Sequence, residues 1–227
     1  MERTVLAVDI GTSSLKAALV DASGCVVASA RVHFPESPRV ARDWVVALGE
    51  AARSLKAAAC ASRGAQSSGS ASHGLDRPAA IVVSGNGPTL VSVNTHAADS
   101  SSVSAFAGGS ASAFAGDGVA GAKHSAATGA VRDSGPVLMW NDPVGADAGV
   151  NAEETEPSGE SIFIPRLAAY RRKFAEDWER ARYILSGPEY LIYALTGNAV
   201  TILPEPRYER AYWTADSLAR AGIDGAR

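Results

Sequence analysis

The chain has 227 residues, of which 46% are hydrophobic and 20% charged, and carries a formal net charge of −3. That length makes one large domain or two small ones and buries a core without a metal or disulfide staple. No basic surplus points to nucleic acid or anionic lipid, and apolar runs such as 79–83 fall far short of the ~20 residues that span a bilayer.

Glu2 and Arg3 lead straight into a strand-like segment with neither an apolar leader nor a cleavage site, so no signal peptide is expected. Cys25 and Cys60 are the only cysteines. Two unpatterned cysteines form neither a disulfide framework nor a zinc site, and a reducing cytoplasm is the expected setting. Residues 4–34 read as a three-stranded meander: an apolar strand over 4–9, turn chemistry at Gly11-Thr12-Ser13-Ser14, a second strand over 15–20, a turn at Ala22-Ser23-Gly24, and a third strand over 25–34. Trp44, Val45, Leu48, Ala51, Ala52 and Leu55 then recur at helical spacing, which predicts an amphipathic helix over 39–59. A loose connection is expected over 62–78. The run 79–84 is apolar in the manner of a buried strand. Gly85-Asn86-Gly87-Pro88 reads as a turn and 89–93 as another strand.

Between positions 94 and 135, 27 of 42 residues are Ala, Ser or Gly, and Ser-Ala-Phe-Ala-Gly occurs twice, at 104–108 and 112–116. So few large apolar side chains do not offset the entropy of ordering that much backbone, so this reads as a low-complexity insertion. Order is expected again from Pro136. A short strand covers 137–140, and helical segments cover 165–173, 178–181, 188–195 and 215–221. Gly197 stops the third of these helices. Tyr208, Tyr212 and Trp213 form an aromatic group, either core or a face covered by a further domain. His33, His73, His96 and His124 are scattered without ligand spacing, so they predict no metal centre.

The most informative run is Asp9-Ile10-Gly11-Thr12-Ser13-Ser14-Leu15-Lys16. It joins two strands through a tight, hydroxyl-rich hairpin. Gly11 lets a ligand approach the backbone, and successive turn N–H groups make a concave anion site to which Thr12, Ser13 and Ser14 add side-chain donors. Asp9 ends the first strand, where a carboxylate holds Mg²⁺ through water, and Lys16 adds a positive charge across the hairpin. These parts suit the β- and γ-phosphates of a metal-bound nucleotide. The plainer alternative is a hairpin with a polar turn and a surface lysine.

With this hairpin as the first motif, the sequence resembles the N-terminal domain of the FGGY carbohydrate kinases, in the actin, Hsp70 and sugar-kinase superfamily. Ile81-Val82-Val83-Ser84-Gly85-Asn86-Gly87-Pro88 is similar to that family's Ile-Ser-Gly-Gln segment, and Leu138-Met139-Trp140-Asn141-Asp142 to its Trp-x-Asp segment. Residues 161–170 resemble its Ser-x-x-x-Lys-Leu helix, with Arg166 in place of Lys, and 188–197 its Asp-Tyr-Leu to Leu-Thr-Gly stretch. The resemblance implies a ribonuclease-H-like α/β domain over 1–227 with a mixed five-stranded sheet flanked by helices, interrupted by insertions at about 62–78 and 94–135. It implies ATP and Mg²⁺ as cofactors, and transfer of the γ-phosphoryl to a hydroxyl of a sugar or polyol. In that comparison Asp9 orients the water of the metal, Gly11, Thr12 and Ser13 cradle phosphate, and Lys16 lies near the transferred group. Asn86 and Gly87 meet the sugar, with Trp140 and Asp142 nearby.

The sequence departs from the family in several places. The family's second domain, which carries the adenosine pocket, has no counterpart within 1–227. Its catalytic base is expected beyond residue 227, so no catalytic residue is assigned, and Asp224 between Ile223 and Gly225 is a weak substitute. Pro88 stands where relatives place a polar sugar contact, and Asn86 replaces Gln. The expected partners are a sugar or polyol and a C-terminal kinase half or a second copy, with no nucleic acid and no membrane. The competing expectation is a non-catalytic nucleotide-, sugar- or protein-binding remnant of the same fold.

Overall fold

The computed structural model describes residues 3–35, 40–64, 78–85, 87–94, 134–144, 161–201, 206 and 211–224. Strands β1 (Val5–Ile10), β2 (Ser14–Val20) and β3 (Val26–His33) form the expected meander. β1 and β2 pair antiparallel from Val5↔Val20 to Ile10↔Leu15, and β2 pairs antiparallel with β3. Because side chains alternate across a strand, this register puts Leu6, Val8 and Ile10 on the same face as Leu15, Ala17 and Leu19, and all six are buried. Helix α1 (Arg42–Gly64) lies across that face through Trp44, Leu48, Ala51, Ala52 and Leu55. It runs five residues past the predicted end at 59, to Gly64.

Strand β4 (Ala80–Gly85) adds to β1 in parallel, giving the sheet order β3-β2-β1-β4. The buried character expected for 79–84 is not found: Ile81 is 43% and Val82 58% exposed. Among the described residues β4 pairs on one side only, so its apolar run lies at the periphery. The turn through Gly87 (φ +24°) and Pro88 ends β4, and the next strand enters a different sheet. There β5 (Leu90–Val93) is flanked antiparallel by β6 (Ser134–Leu138) and β7 (Tyr183–Ser186). The seven described strands therefore divide into sheets of four and three, not one five-stranded sheet. β7 is missing from the sequence prediction because its four residues are too short to show a period.

Helices α2 (Ile164–Lys173), α3 (Ala175–Arg180), α4 (Gly187–Thr196) and α5 (Ala215–Arg220) match the predicted helices to within about a turn. All four residues of β5 are buried, and its two faces serve two clusters. Val91 and Val93 join the α1-covered core, while Leu90 joins Phe163, Tyr170, Trp178, Leu218 and Ile223. Tyr212 and Trp213 pack on Phe163 with ring centroids 5.1 and 5.2 Å away, so of the two readings of the aromatic group they fit core; Tyr208 lies outside the described residues. The predicted insertions lie largely outside them too, apart from residues 62–64 at the end of α1, Pro78, Asn94, and Ser134 and Gly135, which open β6.

Candidate functional site

The β1–β2 hairpin closes through the Gly11 N–H, which donates to the Ser14 carbonyl at 2.9 Å. A Cβ on Gly11 would stand 2.8 Å from that same oxygen, so the turn excludes any side chain there. The end of β3 holds the hairpin from behind: the Phe34 N–H donates to Ser13 O at 3.0 Å and Arg31 Nε to Ser14 Oγ at 3.0 Å. Thr12 and Ser13 at the tip are exposed. Cross-strand register aligns Arg31, Lys16, Asp9 and Ser84 in one row. Lys16 Nζ lies 3.1 Å from Asp9 Oδ2, with the two side chains 56% and 48% exposed. Such an exposed pair adds little stability. It does leave two cations to one carboxylate beside the turn, a balance that attracts an anion.

The second wall comes from the end of β6. Trp140 donates its indole Nε1–H to Thr12 Oγ1 at 2.9 Å and its backbone N–H to the buried Thr89 Oγ1 at 3.1 Å. Asp142 closes a turn on Met139: its N–H donates to Met139 O at 2.9 Å, and its Oδ2 accepts from the Met139 N–H at 3.0 Å. The turn is anchored from α2 by Arg166, only 6% exposed, whose guanidinium donates to the carbonyls of Met139 and Asp142. Burial lowers the pKa of Arg166, and the Asp142 charge opposes that shift; an arginine so perturbed is still a cation. Gly87 sits beside this wall, with a built Cβ 3.7 Å from Trp140 Cβ.

The fold thus brings Asp9, Gly11, Thr12, Ser13 and Lys16 together on one hairpin and sets Trp140 against Thr12, with Asp142 and Gly87 flanking it. Asn86 lies outside the described residues. Asp224 instead borders a largely apolar cavity of about 270 Å³ beside Leu218, Ile223 and Trp213, on which no hairpin residue opens. Sequence reading passed over Thr89 and Arg31 and saw in Arg166 only a replacement for lysine. A lone threonine after Gly-Pro carries no local signal, and the place of Arg31 follows from register alone.

Among the described residues no cluster of three His, Cys, Asp or Glu side chains is built to hold a metal. Asp9 on its own suits the mode in which Mg²⁺ arrives on phosphate oxygens, keeps its waters and meets one carboxylate. Asp9 Oδ2 accepts from Lys16 Nζ at 3.1 Å, and a carboxylate carries a second oxygen that can accept from such a water.

No protein-family model matches the chain, and none of the curated proteins matches it. Solved structures do match. The xylulose kinase from Rhodospirillum rubrum aligns with a TM-score of 0.60 at 18% identity, over 99% of this chain and 41% of that one. The gluconate kinase from Lactobacillus acidophilus gives 0.59 at 16%, over 99% and 40%, and a xyloylose kinase from Brucella ovis 0.58 at 18%, over 99% and 42%. This chain shares its fold with sugar kinases. It spans about two fifths of the length of those proteins. No described helix is long and apolar enough to cross a membrane.

Proposed function

We propose that this chain is the N-terminal, sugar- and ATP-phosphate-binding half of an FGGY-type carbohydrate kinase, which transfers the γ-phosphoryl of ATP to a sugar or polyol hydroxyl once a C-terminal half completes it. The observation that carries the reading is the meeting of the Asp9–Lys16 hairpin with the Trp140–Asp142 turn. The first suits phosphate and the second a polyol, and they touch. In this reading the N–H groups and hydroxyls of Gly11, Thr12 and Ser13 hold phosphate oxygens, and Lys16 offsets their charge. Asp9 Oδ1 accepts from a metal-bound water. Trp140 offers an apolar face to the C–H side of the polyol, while Asp142 and the Gly87 region take hydroxyls. Bound Mg·ATP would supply the phosphoryl group and screen its charge; the chain's own residues position it. The sheet order β3-β2-β1-β4, with three strands antiparallel and one parallel, is in keeping with a ribonuclease-H-like core, and the outer edge of β4 would accept a fifth strand. A cytoplasmic setting goes with this reading.

The 227-residue chain alone is expected to bind magnesium pyrophosphate but to form no ADP on a panel of sugars, because the base lies elsewhere. Asp9→Asn should abolish magnesium-dependent phosphate binding, read by calorimetry. Sugar-dependent ADP formation by the purified chain would refute the half-enzyme reading. The second reading, a non-catalytic binding remnant, draws on Pro88 at the sugar side and on the Asp9–Lys16 pair, whose charges already satisfy each other. It expects Asp9→Asn to leave partner binding unchanged.

A further inference from the structure

We infer that the indole N–H of Trp140 links the two halves of the proposed site, so that a polyol resting on the ring and a phosphate held by the hairpin strengthen each other's binding. The inference deepens the kinase-half reading and rests on it. Trp140 and Thr12 are 128 positions apart in sequence and lie in turns next to strands of different sheets, yet Nε1 lies 2.9 Å from Thr12 Oγ1. The backbone around Trp140 is held by buried groups: its N–H donates to Thr89, and the carbonyls of Met139 and Asp142 accept from Arg166. The residue as a whole is nonetheless 46% exposed. It is therefore anchored through its backbone N–H and still accessible to solvent, and its indole edge hydrogen-bonds the exposed tip of the hairpin.

That arrangement has a direct physical consequence. Thr12 and Ser13 at the hairpin tip are exposed, and Thr12 Oγ1 accepts the indole N–H. A ligand packed on the ring restricts the indole, which fixes the direction of Nε1–H and with it the side chain of Thr12. Binding linkage is reciprocal, so a phosphate that orders Thr12 orders the indole in turn. Trp140 is then a positioning residue for the phosphate hairpin as well as a contact for the polyol. One exposed hydrogen bond belongs at the low end of such couplings, about five-fold in affinity.

The test is ¹⁵N spectroscopy of the 227-residue chain. Its four tryptophans give separate indole signals, and that of Trp140 is the one lost in Trp140→Phe. Pyrophosphate with Mg²⁺ should shift this signal together with the Gly11 and Ser13 amides. Thr12→Val, which removes the acceptor, should shift it without any ligand. Among glycerol, D-xylulose and gluconate, the polyol that binds should bind about five-fold tighter with magnesium pyrophosphate present, and Trp140→Phe, which keeps a ring but no N–H, should erase that gain. If the hairpin amides respond while the indole signal stays still, or no polyol gains from pyrophosphate, the coupling is overturned and the kinase-half reading survives. If no hairpin amide responds, the functional reading itself fails. Should Trp140→Phe disturb the Trp44 and Trp178 signals, Thr12→Val alone decides: an unmoved indole signal in that variant overturns the link.

Discussion

Gly11 is required by the hairpin's own backbone before any ligand arrives. The Ser14 carbonyl oxygen stands 2.8 Å from where a Cβ would sit, and the same oxygen accepts the Gly11 N–H. Backbone cannot move aside as a flexible side chain can, so Gly11→Ala should cost about 1–3 kcal/mol in urea unfolding and remove phosphate binding as well. An unchanged midpoint would show that the turn adapts. Tyr170 makes a second residue-scale case. Its hydroxyl donates to Pro136 O at 2.7 Å, accepts from the Ser92 N–H at 3.0 Å and lies 3.0 Å from Ser92 Oγ. Burial, the largest cause, pushes its pKa up from 10.0 to about 12. The folded state therefore holds this proton more tightly than the unfolded chain. The resulting stability is fully present below pH 10 and is lost as pH rises toward 12, on the order of 2 kcal/mol. Denaturation at stepped pH should show this loss, and Tyr170→Phe should flatten it. Some slope will remain from Tyr190, which burial also raises.

Local signals set the elements whose ends are chemically marked. Helix α4 begins with a capping box, in which the Ser186 N–H donates to Glu189 Oε2 at 2.8 Å and the Glu189 N–H to Ser186 Oγ at 3.5 Å, and it ends at left-handed Gly197, φ +74°. The longer bond is the weaker one, and Glu189 also accepts from Thr201 Oγ1 at 3.1 Å. Ser186→Ala should therefore cost about 1 kcal/mol. Glu189→Ala should cost more, about 2 kcal/mol, because it orphans a buried N–H. Thermal unfolding of the two variants reads the order, and the reverse order would mean the hydroxyl is the main cap. β4 shows where local signals stop. A parallel strand covered on both faces and a parallel strand at a sheet edge have the same apolar composition, so the run 79–84 cannot tell which it is. The exposed Ile81 and Val82 answer that only once pairing is known.

At the scale of the whole molecule, β5 is the shared member. Val91 lies in the core under α1, and Leu90, its chain neighbour, in the core under α2. With one four-residue strand buried on both faces, neither cluster can open without exposing the other's wall. The chain should thus unfold in one cooperative step, and Leu90→Ala and Val91→Ala should both lower the same transition, the first by about 2–5 kcal/mol. Two separated transitions, each sensitive to one variant, would show that the clusters fold independently. The same architecture assembles the candidate site. The β1–β2 hairpin belongs to the four-stranded sheet and the Trp140 turn follows β6 of the three-stranded one, so the candidate site exists only where the two sheets meet.

The meander, α1, the short helices and the tight β1–β2 hairpin were legible in the chain alone. Each is written in contiguous residues: turn chemistry within eight positions, a helical apolar period, a Gly stop. The polar hairpin tip and the Trp-x-Asp turn were legible as candidates for the same reason. Only the tertiary structure decided which candidates meet. The Trp140–Thr12 bond, the Arg166 anchor beneath the turn, the row of Arg31, Lys16 and Asp9, the exposed edge of β4 and the division of strands into four and three all depend on pairings between distant segments. Register and packing are properties of two surfaces at once, and neither is written in one stretch of chain.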